Sequence, residues 1–152
     1  MWGSQEEAFA ELEEIERHST IIFPETTATT CSLASHADAH TWTDWAEIVD
    51  SGAATLSSKM ATVPGYIAAL LVEDASIASA IFMVEIAYGE AKTIVSRHRL
   101  QTETNKLPSD QVPRVRGAII PAGETIYYRC MCELAGPNTL EGHFRYYLCH
   151  PV

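Results

Sequence analysis

The chain has 152 residues, 47% hydrophobic and 20% charged, which suits one compact domain with a sizeable core and excludes global disorder. Its formal net charge of −10 argues against nucleic acid as the main partner. The longest apolar run, Tyr66–Val72, is too short to cross a bilayer, so no membrane partner is expected.

Residues Ser4–His18 read as a short helix. Ser4 and Glu7 form a capping box. Phe9, Leu12 and Ile15 line one apolar stripe, and glutamates cover the rest. A helix of this length is marginal alone, so the stripe needs a surface to bury against. With the leading Trp2, these residues are candidate contacts, on their own domain or on a neighbouring subunit. Glutamates also stand where a signal peptide would carry basic and apolar residues, so no export signal is read.

Residues 1–50 hold 11 acidic residues and one basic residue, Arg17, and so carry the entire net charge. Residues 51–152 hold 9 of each sign. The segment Lys92–Arg116 is basic, with six cations against Glu103 and Asp110. An acidic arm and a basic band can attract each other within a subunit or between subunits.

Residues Ser19–Thr43 read as a connector with one or two edge strands, completing an arm over residues 1–43. Within it His36, Asp38 and His40 recur every second residue. On an extended strand they would share a face and begin a metal site. Three ligands without a fourth favour instead a polar loop in which the histidines are solvated or bonded to neighbours, so no metal or other cofactor is expected.

From residue 44 the texture becomes that of strands. Trp45–Val49, Tyr66–Glu73, Ala80–Tyr88, Lys92–Leu100, Arg114–Ile120, Thr125–Leu134 and Leu140–Cys149 look extended, and glycine and proline breakers separate most of them. Ile126, Tyr128, Cys130, Cys132 and Leu134 make one apolar face, as do Phe144, Tyr146 and Leu148, and Phe82, Val84, Ile86 and Tyr88. Period-two patterning over several strands predicts a mainly β fold, an antiparallel β-sandwich with jelly-roll-like connections over residues 44–152, behind an N-terminal helical arm.

No cysteine pair has CxxC spacing, so Cys130 and Cys132 read as buried free thiols in a reducing compartment. A cupin-type metal enzyme would place a ligand just after a Pro-x-Gly turn. Pro121-Ala122-Gly123 is followed there by the core-facing Ile126, so the turn is read as turn chemistry alone. No nucleophile elbow or phosphate-binding loop is present, and no catalytic residue is assigned. Glu85, on a largely apolar strand, is expected to pair with an arginine such as Arg97 or Arg129. The outward Tyr127, Met131 and Tyr147 are candidate members of a partner-binding patch.

The stretches WAEIVDSGAATLSSK, YIAALLVEDASIASAIFMVEIAYGEAKTIVSRHRL, RVRGAIIPAGETIYYR and HFRYYL resemble small β-sandwich proteins of tailed bacteriophages, the capsid decoration or cement proteins. The resemblance spans Trp45 to Leu148 and carries no catalytic motif. It implies a non-enzymatic virion protein, assembled in the host cytoplasm, that sits on the outside of the head as a homo-oligomer, a trimer, and clamps the major capsid protein. The alternatives are a phage tail or fibre component binding a receptor or glycan, and a metal-binding jelly-roll enzyme built on His36, Asp38 and His40.

Overall fold

The computed structural model describes residues 20–103 and 118–149. The helix expected over Ser4–His18, with Trp2, Phe9, Leu12 and Ile15, lies outside them. So do residues 114–117 of the strand expected at Arg114–Ile120.

Among the described residues, eight strands form two antiparallel sheets. They are β1 (Ile21–Phe23), β2 (Cys31–Ala34), β3 (Ala46–Glu47), β4 (Gly65–Ala75), β5 (Ile81–Tyr88), β6 (Thr93–Gln101), β7 (Ile126–Cys132) and β8 (Thr139–Leu148). Among the described residues the only helical turn is the 3-10 turn Ser57–Met60. The chain is therefore mainly β and consistent with a β-sandwich.

In sheet A, β8 is central. One flank is β4, and the other is β1 and β2 laid end to end. Ile21–Phe23 runs antiparallel to Phe144–Tyr146, and Cys31–Ala34 continues along Thr139–Gly142. Residues 24–30 bulge out between these two halves of one interrupted strand. β1 and β2 fall where edge strands were expected within the connector, before residue 44, and both are laddered to β8, so among the described residues the sheets begin at residue 21.

Sheet B has the order β3–β7–β5–β6. β5 and β6 form a hairpin turned by Gly89 at φ 75° and Lys92 at φ 53°. Where a strand Trp45–Val49 was expected, only Ala46–Glu47 is regular. Val49 and Asp50 make single bridges, to Thr55 and Cys31. The described end of Arg114–Ile120 contributes one bridge, Ile120 to Gly65.

The alternation read from the sequence sets the core. β7 is buried at Ile126, Tyr128, Cys130 and Cys132, and half-exposed between them. Its apolar face stops there, because Leu134 lies beyond the strand and is exposed. Phe82, Val84 and Ile86 from sheet B meet Leu140, Phe144 and Tyr146 from sheet A in one cluster. The Ala34 amide donates to the Tyr128 hydroxyl at 3.3 Å, tying the sheets together. Gly142 faces this core, where a Cβ would collide with the Leu71 carbonyl, so only glycine lets β4 lie this close across its bulge. Gly123 has φ 80°, a left-handed value that suits glycine in the Pro121-Ala122-Gly123 turn.

Thr102, fully buried, closes the β5–β6 end of sheet B. Its hydroxyl donates to the Ile77 carbonyl at 3.0 Å and accepts from the Ala80 amide at 3.1 Å. Thr102→Val keeps the shape and strands both backbone groups. It is expected to lower stability by ~1–3 kcal/mol in urea unfolding, while Thr102→Ser retains most of it.

Candidate functional site

The outer face of sheet B is built in rows across β7, β5 and β6. Register places Met131 beside Met83 and Met83 beside Arg99. The next row is Arg129, Glu85, Arg97, and the next begins with Tyr127 and Ala87. These positions alternate with core residues, so they point away from the core.

Glu85 is the anomaly on this face, a carboxylate only 5% exposed. Arg129 Nη2 donates to its Oε2 at 3.1 Å, and Arg97 Nε lies 3.4 Å from its Oε1. The expected arginine pairing is thus present with both candidates. A canopy hides the pair from water. The segment 36–45 runs beside β7, with the His40 amide on the Cys132 carbonyl and the Thr43 amide on the Cys130 carbonyl. The Thr43 hydroxyl accepts the Cys130 amide in return, at 3.0 Å. This holds Trp42 and Trp45 over Arg129, its guanidinium carbon 4.7 Å from each ring centroid. Such contacts add ~0.5–2 kcal/mol each when partly desolvated. At the other end of β7, Lys92 Nζ sits 4.0 Å from the Tyr127 ring centroid.

The β3 side of this face is therefore roofed by indoles, and among the described residues nothing roofs the β5–β6 side. Arg97 is 65% exposed despite its contact with Glu85. Arg99 is exposed and has no acidic partner among the described residues. Sequence reasoning missed the two tryptophans, although TWTDW already put two indoles in the segment leading into β3.

Tyr127, Met131 and Tyr147 do not form one patch. Tyr127 and Met131 lie outward on sheet B. Tyr147 lies outward on sheet A, where its ring packs 5.1 Å from Tyr66. Alternation told inward from outward but not which sheet each strand joins.

His36, Asp38 and His40 are not on a strand. They fall in a turn after β2 that ends with His40 at φ 56°. The Asp38 amide donates to His36 Nδ1 at 2.9 Å, so that nitrogen serves the turn. Positive φ at His40 breaks the two-residue period on which a shared face depended. No group of three or more potential metal ligands occurs among the described residues.

On the opposite sheet, the bulge between β1 and β2 overhangs a groove of about 360 Å³. Thr27, Thr30 and Pro24 line one wall. His143 and Glu73 form the other, with Nδ1 2.7 Å from Oε1. Glu73 is half exposed, so this pair is screened and adds at most ~1 kcal/mol.

Cys31, Cys130 and Cys132 are buried free thiols and Cys149 is a half-buried one. Burial, with Asp50 nearby, pushes the Cys31 thiol up to about 12. Burial, with Cys132 nearby, does the same for Cys130. Both stay protonated at neutral pH and act as small apolar core groups.

No protein-family model, curated protein or solved structure matches this chain.

Proposed function

We propose that this chain is a non-enzymatic structural protein of a virion, a decoration or cement protein that binds the outer surface of a phage capsid as a homo-oligomer. The observation that carries the reading is the outer face of sheet B. It displays Trp42, Trp45, Arg129, Tyr127, Met83 and Met131 together, the residue types enriched at the centres of protein interfaces. The charges at its centre are spent on packing, since Glu85 is engaged by two arginines and Arg129 by two indoles. Rigid aromatic and guanidinium groups lose little entropy on docking, which suits a clamp better than a reaction site. The connections β2–β3, β3–β4, β4–β5 and β7–β8 cross between the sheets, which we read as jelly-roll-like in keeping with the resemblance. The partners on this reading are the major capsid protein and further copies of the chain.

The test is occupancy on phage heads assembled without the protein and then incubated with it. Tyr127→Ala is expected to reduce occupancy while leaving the thermal midpoint within a few degrees of wild type. Tyr147→Ala, on the other sheet, is expected to bind normally. Absence of head binding by the wild-type protein overturns the proposal. Full occupancy of Tyr127→Ala together with lost adsorption to host cells would favour a receptor-binding tail component.

A further inference from the structure

We propose that the open β5–β6 half of the sheet B outer face is the docking site for residues 1–18 of a second copy of this chain; this rests on reading that face as an assembly surface. The two surfaces are complementary in charge and chemistry. Residues 1–18 contain six glutamates against Arg17, with Phe9, Leu12 and Ile15 three residues apart. The open half-face offers Arg97 and Arg99 beside the paired Met83 and Met131. Glu85 is its acid and is already held by Arg97 and Arg129. In a chain of net charge −10, this exposed face carries a cation, Arg99, with no acidic partner among the described residues. Carboxylates meeting Arg97 and Arg99 would bring the apolar stripe onto the methionines, whose unbranched side chains adapt to the shape laid on them.

Reach separates a second copy from the chain's own segment. Residue 20 leads directly into β1, which lies in sheet A. Ile15 is five residues upstream, so it extends at most ~17 Å from that point. The path from the β1 flank around the β3 edge to the open half crosses the ~10 Å between sheets and several strand spacings of ~4.8 Å, on the order of 30 Å. Ile15 therefore falls short of its own patch, so the stripe from Phe9 to Ile15 can engage as a whole only on a neighbour's.

The experiment uses full-length protein in two charge-swapped forms. One is Arg99→Glu with Gln101→Glu, both at exposed outward positions of β6. The other is Glu7→Lys, Glu11→Lys and Glu14→Lys. Sedimentation is run at about 0.05 M and about 0.5 M salt, which changes the screening length severalfold, with thermal unfolding as a fold control. Wild type is expected to self-associate, more weakly in high salt. Each variant alone should associate roughly tenfold more weakly or worse. An equal mixture of the two should recover association, because each swapped segment then meets a face of opposite sign. That recovery does not depend on either variant's intrinsic stability. Self-association unchanged in both variants, or a mixture that fails to recover, overturns the proposal. A wild type that stays monomeric also overturns it, and loss of head binding in both variants would then assign the face to a head subunit. Head occupancy measured in parallel separates the two claims. Normal occupancy without the predicted self-association sinks this proposal alone, and the predicted self-association without head binding sinks the decoration reading alone.

Discussion

Glu85→Ala is expected to lower stability by ~3 kcal/mol or more, which in a domain of this size moves the thermal midpoint by roughly 10 °C. The loss comes less from the missing attraction than from the charge left behind. Arg129 is flanked by two indoles and its Nε is already buried with no hydrogen-bond partner among the described residues. Without Glu85 its guanidinium keeps its positive charge in a partly desolvated site. Arg97 contributes little, because it is two-thirds exposed and water screens its pairing. The double replacement Glu85→Leu with Arg129→Leu should therefore recover much of the loss, since an apolar pair of similar volume often replaces an ion pair without penalty. Denaturant unfolding of the three proteins checks this. A cost below ~1 kcal/mol for Glu85→Ala would mean that the indole canopy, not the ion pair, holds this face.

The second large effect is on pH dependence. His98 faces the core from β6, is 6% exposed and contacts the Ser96 hydroxyl at 3.2 Å. Burial pushes its imidazole from 6.5 down to about 4. Above pH 6.5 the ring is neutral in both folded and unfolded chains, and its full contribution to stability is present. Between 6.5 and 4 the unfolded chain takes up a proton that the folded one refuses, so stability falls as pH falls. Below 4 both are charged and the loss stops growing. At ~1.4 kcal/mol per pH unit the total is about 3 kcal/mol. Carboxylates add their own acid sensitivity, so the measurement is a difference. Wild type and His98→Leu are unfolded in urea at several values from pH 7 to pH 4. The stability of wild type relative to the variant should drop by about 3 kcal/mol over that range. Parallel profiles would show that His98 gains a proton without opening the sheet.

Much of this architecture is legible in the residues. Strands with one alternating apolar face write their period plainly, as in Ile126–Cys132 and Ile81–Tyr88. An acid amid apolar neighbours, Glu85, announces the cations that must meet it. What stays hidden depends on contacts distant in the chain. β1 and β2 have three and four residues, too few to show a period, and their shared flank of β8 follows only from the position of residues 139–148. The canopy over Arg129 depends on segment 36–45 lying along β7, which nothing local to Trp42 or Trp45 dictates. His36, Asp38 and His40 keep a two-residue spacing without sharing a face, because that spacing marks a face only while the backbone stays extended.

The central place of β8 bears on how the chain is made. The other sheet has all four strands once residue 132 has left the ribosome, before β8 is free to pair. β1, β2 and β4 appear within the first 75 residues, and their strand partner in every case is β8, which ends at residue 148. On the ribosome these three strands wait with open backbone edges through most of elongation, the interval in which unpaired strands invite pairing with other chains. A nascent chain held with residues 1–138 outside the ribosome should therefore protect β5, β6 and β7 from proteolysis and leave Ile21–Ala34 and Gly65–Ala75 open to cleavage.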